Sequence, residues 1–210
     1  MPSIARSERA ALTDLLDSVG PDAPTLCTGW TTRDLAAHLA MRERRMDAVG
    51  GIAVPVLAGH AESVRREYAG RRYPDLVALV RGGPPFWSAF AVPGVDRIAN
   101  TTEYFVHHED VRRAQPGWAP RSLHSRVQDA LWAAVTARGK LAYRSVPCGV
   151  LLQRPGGQTA RVRDGEPAVT VAGEPAELLL HAFGRRGHAL VDVSGPVDAV
   201  ASMHGTDINA

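Results

Sequence analysis

The stretch Asn100-Thr101-Thr102-Glu103-Tyr104-Phe105-Val106-His107-His108-Glu109-Asp110-Val111-Arg112-Arg113 reads as the main part of a helix that follows Pro93-Gly94 and extends to about Ala114. On a helix Glu103 and His107 leave the same face one turn apart, so a carboxylate and an imidazole can hold one metal ion. Asp110, three residues beyond His107, shares that face. Its carboxylate can accept from the ring nitrogen of His107 that does not bind metal, fixing the tautomer. His108 and Glu109 point elsewhere by the same geometry.

Two other readings of this stretch stand beside the metal one. Asn100-Thr101-Thr102-Glu103 also fits a capping box, in which Glu103 bonds back to the Asn100 amide. Asp110 can also pair with Arg112 or Arg113.

Upstream, Thr31-Thr32-Arg33-Asp34 is a helix start with hydroxyl caps and an early acid, and the helix is expected to run to about Val49 before Gly50-Gly51. Leu35, Leu39, Arg42 and Met46 stack along it. His38 lies about 60° from the centre of that stripe at about 100° per residue. It can look into a bundle interior as a third ligand, or be a half-buried histidine satisfied by a carbonyl. Two nitrogens and one oxygen suit zinc and leave a coordination position open for chemistry, although another divalent ion also fits such a set.

Further helices are expected from a Ser3 cap to Gly20-Pro21, over Ala58 to Ala69, from Pro74-Asp75 to Gly82-Gly83, and from Ser122 to roughly Ala142. They predict a helical bundle with added short helices. After Pro147 the pattern changes. Val150-Leu151-Leu152 and Ala160-Arg161-Val162-Arg163 flank Pro155-Gly156-Gly157 as hairpin-like strands, and Val169-Thr170-Val171 is another. Glu174 to Phe183 reads as a helix and His188 to Val193 as a strand, while the tail from Pro196 is either a helix or loose. The fold class is α+β: a helical bundle over residues 1–145, followed by a small α+β domain over 146–210.

Composition limits the function classes. The chain of 210 residues, 45% hydrophobic and 22% charged, has the make-up of a globular protein. Its formal net charge of +2 gives no field for nucleic acid, and arginine pairs such as Arg65-Arg66 and Arg112-Arg113 are interleaved with acids as on solvated helix faces. Cys27 and Cys148 are too few for a disulfide framework and lack Cys-x-x-Cys spacing. Cys27 reads as a small buried hydrophobe, and Trp30, Phe86 and Trp87 as core. The opening residues lack an apolar signal core, and no apolar run nears the roughly 20 residues that span a bilayer. The expectation is a cytoplasmic protein with no nucleic-acid or membrane partner.

The segments Cys27-Thr28-Gly29-Trp30-Thr31-Thr32-Arg33-Asp34-Leu35-Ala36-Ala37-His38-Leu39 and Asn100 to Arg113 resemble the two signature blocks of the DinB-like, mycothiol-dependent maleylpyruvate isomerase superfamily. More narrowly, they are similar to an actinobacterial branch described as metal-binding. In that superfamily a Gly-Trp-(Ser/Thr)-x-x-(Asp/Glu)-(Leu/Val)-x-x-His block and a Glu-x-x-x-His block supply ligands to zinc in a four-helix bundle, so the resemblance implies such a bundle over residues 1–145 and places the ligands on His38, Glu103 and His107. Gly173 to Arg186 is similar to a C-terminal helix ending in Gly-Arg, so Arg185 or Arg186 is the counterpart of the isomerase's functional arginine. The similarity spans most of residues 3–194.

It implies an enzyme in which zinc, or another divalent metal, holds mycothiol or a similar small thiol as the attacking thiolate. That thiolate either isomerises an electrophilic small molecule, by adding to a conjugated double bond and leaving, or is transferred to it. Cationic groups would meet carboxylates on thiol or substrate. Arg42, one turn beyond His38, is the candidate on the cofactor side, and Arg185 or Arg186 is the catalytic candidate. The rival expectation is a non-catalytic protein binding a divalent metal or another ligand on the same scaffold.

Overall fold

The computed structural model describes residues 3–48, 58–92, 94 and 99–208. Two compact units divide the chain, Met1–Pro120 and Arg121–Ala210. The first is helical and the second carries the sheet, so the class is α+β.

The first unit contains α1 (Ile4–Val19), α2 (Thr32–Arg44), α3 (Ala58–Ala69), α4 (Tyr73–Gly82) and α5 (Thr101–Arg113) among its described residues. Ser3 caps α1, its hydroxyl oxygen accepting from the Arg6 amide at 3.2 Å. The chain leaves that helix through Gly20, whose φ of 81° favours glycine. At the start of α2 the Asp34 carboxylate accepts from the Thr31 amide at 3.0 Å, which fixes where the helix begins. α1 packs on α4 and α5, and α2 on α3 and α4. Leu12, Leu16, Leu35, Leu39, Leu76 and Tyr104 form their fully buried centre.

α2 ends at Arg44 rather than near Val49, and Met46, placed on its apolar stripe by spacing, is 44% exposed. Val49 itself lies outside the described residues. The helix of the ligand motif begins at Thr101, and of the turns expected before it Gly94, Ala99 and Asn100 are described.

The second unit begins with α6 (Ser125–Ala142), continues through β1 (Gly149–Gln153), β2 (Thr159–Arg163), β3 (Ala168–Ala172) and α7 (Pro175–Ala182), and closes with β4 (Asp192–Ser194) and α8 (Val197–Gly205). The sheet order is β2-β1-β3-β4, with β1 antiparallel to β2 and parallel to β3, and β4 antiparallel to β3. Val150 lies opposite Val169 and Leu152 opposite Val171, all four with no exposed surface. The alternation therefore gives the sheet one apolar face.

α6 packs on α7 and β2. A Cβ on Gly139 would stand 2.6 Å from a methyl of Val162, so this glycine permits the close approach of helix to strand. The unit boundary accordingly falls at Pro120/Arg121, not at 145/146 as the change of pattern suggested. Periodicity identified the buried stripe of α6 but not the core that covers it. His188 is part of a short 3-10 turn, and the strand expected over 188–193 starts only at Asp192. The tail is helical.

Candidate metal centre

α2 and α5 lie together in the first unit and bring His38, Glu103 and His107 to one point. Nε2 of His38 is 3.0 Å from Glu103 Oε1, and Nε2 of His107 is 3.3 Å from the same oxygen. One ligand atom from each residue lies within 4.8 Å of the others. Such a nitrogen, nitrogen, oxygen donor set fits a divalent cation and leaves coordination positions for a non-protein ligand. Glu103 retains 21% of its side-chain surface.

The surroundings fix each donor. His107 Nδ1 stands 2.9 Å from Asp110 Oδ2, as the spacing on α5 predicts, and Asp110 is completely buried. An Nδ1 proton held there turns the Nε2 lone pair toward Glu103 and His38. The Trp30 ring packs against the core of the first unit, as expected, and also stands 5.2 Å from the ring of His38. Arg65 in turn lies over Trp30 at 5.1 Å.

Glu103 does not fold back as a capping box would require. The Asn100 side chain instead accepts from Arg42 at 2.9 Å and donates to the Phe90 carbonyl at 2.9 Å. Arg42, buried one turn beyond His38, places Nε 3.5 Å from Glu103 Oε1. Burial alone would raise the Glu103 carboxyl, but the Arg42 charge and hydrogen bonds from the two histidines hold it well below the usual carboxylate range. For His107 burial works against the charged form. Contacts with Asp110, Cys27 and Glu103 outweigh it and lift the imidazole well above its ordinary value. In His38 burial prevails and the shift is downward. The site thus shifts its two imidazoles in opposite directions, His107 upward and His38 downward.

Cys27 does more than the small hydrophobe expected of it. It packs against the core of the first unit, and its Sγ lies 3.2 Å from Asp110 Oδ2 and 3.9 Å from His107 Nδ1, behind the proposed ligand. The two residues are 80 positions from one another, and no local pattern links them. The contact of Arg42 with Asn100 and Phe90 was not legible for the same reason, since 58 positions separate Arg42 from Asn100.

Phe86 and Trp87, expected in the core, are 91% and 65% exposed. Arg113, expected on a solvated face, is buried against Glu109 at 2.6 Å. Arg185 and Arg186 belong to the second unit. Arg185 donates to the Phe183 carbonyl at 2.6 Å, and Arg186 NH1 donates to the carbonyls of Met203 and Thr206 at 2.9 and 2.7 Å. Arg186 therefore ties down the end of α8, and its Nε and NH2 are buried without a hydrogen-bond partner.

No helix among the described residues is long and apolar enough to cross a membrane. The family model described as the mycothiol maleylpyruvate isomerase N-terminal domain matches residues 4–112, just over half of the 210-residue chain and the whole of the candidate site. No curated protein matches the sequence. Among solved structures, the crystal structure of the mycothiol-dependent maleylpyruvate isomerase is similar at 19% identity over 92% of each chain, with a TM-score of 0.60. The crystal structure of a histidine-to-alanine mutant of that isomerase gives a TM-score of 0.61 at the same identity and coverage. At that identity the likeness is one of fold.

Proposed function

The chain belongs to the family of the mycothiol maleylpyruvate isomerase N-terminal domain, and on that premise we propose that it is a metal-dependent, thiol-using enzyme acting on an electrophilic small molecule. The convergence of the His38, Glu103 and His107 donor atoms within 4.8 Å, backed by Asp110, carries this reading. A divalent cation on these ligands, zinc by donor type, supplies a charge that lowers the pKa of a bound thiol and presents it as the thiolate at neutral pH.

The chain's own residues prepare that chemistry. His38 and His107 present Nε2, and Glu103 presents Oε1. Asp110 orients His107 through Nδ1, and Trp30 packs beside the ring of His38. The thiol is mycothiol or a relative of it. Isomerisation is the favoured use: the thiolate adds to a conjugated double bond, the resulting single bond rotates, and the thiolate leaves as the double bond reforms, with no net change in atoms.

Two measurements test this. Metal analysis of the wild type against His38→Ala and His107→Ala should show stoichiometric divalent metal lost in both variants, and full retention in both would refute the ligand assignment. The metal-loaded chain, incubated with mycothiol and a panel of cis-alkenoyl electrophiles, should isomerise or add thiol to one of them and stop on addition of chelator. Tight metal binding with no turnover across the panel would favour the non-catalytic binding protein.

A further inference from the structure

Arg42 is a buried cation beside the metal ligands whose position the thiol reading does not use. Arg42 is 6% exposed. Its guanidinium lies 3.8 Å from the centroid of the Phe90 ring, NH1 donates to Asn100 Oδ1 at 2.9 Å, and Nε faces Glu103 Oε1 at 3.5 Å. The Asn100 amide is itself held by the Phe90 carbonyl, so the oxygen that receives Arg42 is fixed in orientation. Among the described residues Glu103 is the ion-pair partner of Arg42. A guanidinium committed in this way does not reach out as a clamp for a carboxylate of the thiol, which was the expectation from sequence. It is built against a metal ligand.

We propose that Arg42 determines which class of ligand the open position of the metal centre accepts: it offsets the charge of Glu103 and makes the position select an anion, a thiolate above all, over a neutral donor. This rests on the metal reading above. Two neutral imidazoles and one carboxylate reduce a divalent cation to a net single positive charge. The guanidinium at 3.5 Å from the carboxylate restores the second. Asp110 behind His107 contributes the same negative charge with or without Arg42, so an anion entering the open position meets one more net positive charge when Arg42 is present, in a buried setting where screening by water and salt is weak. A neutral ligand gains nothing from the extra charge, so Arg42 acts on the ratio of the two affinities and not on ligand binding in general. Aromatic contact with Phe90 and the amide of Asn100 keep the charge in place without neutralising it.

The test uses the full chain loaded with cobalt(II), whose visible spectrum reports ligands entering the open position. Thiocyanate serves as the anion and imidazole as the neutral ligand, titrated at one fixed pH, with 2-mercaptoethanol as a simple thiol. Arg42→Met should lower the ratio of thiocyanate to imidazole affinity by roughly tenfold or more and weaken the thiol band in parallel. Arg42→Lys, which keeps the charge, should restore most of the ratio. Asn100→Asp leaves Arg42 in place and adds a negative charge beside it, so it should also lower the ratio, and it decides the matter if Arg42→Met fails to take cobalt.

A ratio unchanged in Arg42→Met, or an equal fall in Arg42→Lys, overturns the proposal while leaving the metal reading intact, because a mere brace would weaken both ligands together. Failure of both Arg42→Met and Asn100→Asp to take cobalt also overturns it. A wild-type chain that takes no cobalt overturns the metal reading and this inference with it.

Discussion

Asp110→Asn removes one charge and no volume from behind His107, and its consequence can be worked out from the geometry. Oδ2 of Asp110 faces both His107 Nδ1, at 2.9 Å, and Cys27 Sγ, at 3.2 Å, in a place with no exposed surface. Asparagine keeps one acceptor for the two groups and offers a donor where a second acceptor stood. The imidazole becomes a weaker base and a weaker ligand. Loss of such a supporting partner typically costs 10–100-fold in metal affinity, or about 1.4–2.8 kcal/mol. Complete burial places the expected effect in the upper half of that range.

The pH dependence sharpens the test. In the metal-free protein burial pulls His107 down, but contacts led by Asp110 lift it well above its ordinary value, so a proton competes with the cation for Nε2. The substitution weakens the proton and the cation alike. Near neutral pH the two losses partly offset, and the gap between wild type and variant should widen as pH rises through the raised value and then level off. Competition against a chromophoric chelator, from about pH 6 to 9, reads this directly. Equal affinities at the alkaline end, or a gap largest in acid, would refute the assignment of Asp110 to the His107 ligand.

Burial pushes the Glu43 carboxyl from its ordinary 4.5 up to about 7 against the pull of Arg44. The folded state then binds the proton more tightly, so stability is fully present below pH 4.5 and falls toward pH 7 by roughly 3 kcal/mol. Glu43→Gln should flatten urea midpoints across that window. His181 has the opposite sign: burial first, then Arg186, lowers it from 6.5 to about 4 while Tyr143 contacts its Nδ1 at 2.8 Å. Its contribution, also roughly 3 kcal/mol, is present above pH 6.5 and lost as pH drops through 4, so His181→Gln should show less acid destabilisation of the second unit than wild type. Gly139→Ala improves helix propensity by about 1 kcal/mol yet drives a methyl to 2.6 Å from Val162. Net destabilisation of about 1–3 kcal/mol is expected in thermal unfolding, reversed by Val162→Ala in the same chain.

What the sequence could and could not disclose follows from the range of the forces involved. The start of α2 was legible because Thr31 and Asp34 satisfy each other within three residues. Glu103, His107 and Asp110 were legible as one face because helical spacing fixes that locally. Placing His38 against them took the resemblance, since nothing in either segment specifies the other across 65 positions. Tertiary partners were not legible at all. The apolar stripe of α6 was clear, yet its place in the second unit depends on Gly139 meeting Val162. Arg113 looked like a surface charge, and its burial depends on Glu109, whose own burial no window of sequence shows. Phe86 and Trp87 were assigned inward by residue type, but they pack edge-to-face on each other at 5.1 Å and remain open to solvent.

α5 shows why the helix with the fewest apolar residues in the first unit can be among its most buried. Most of the polar side chains it turns inward have a named counterpart. His108 meets Glu8 of α1 at 3.0 Å, Glu109 meets Arg113 at 2.6 Å, and the Tyr104 hydroxyl donates to Glu43 of α2. Burial of such groups is tolerable only when their hydrogen bonds are made, and breaking one pair leaves a charge stranded in low dielectric. Glu8 faces His108 Nδ1, so His108 is tied to α1 and removed from the ligand set, although it adjoins His107 in sequence. His38, Glu103 and His107 differ because they face one another. Their mutual contacts leave three donor atoms around one point, an arrangement that protons satisfy in the free protein and that a divalent cation satisfies more fully. The helix is therefore polar for two separate reasons, pairing along most of its length and ligation at one place, and the two are distinguished by whether a side chain's partner lies outside the cluster or within it.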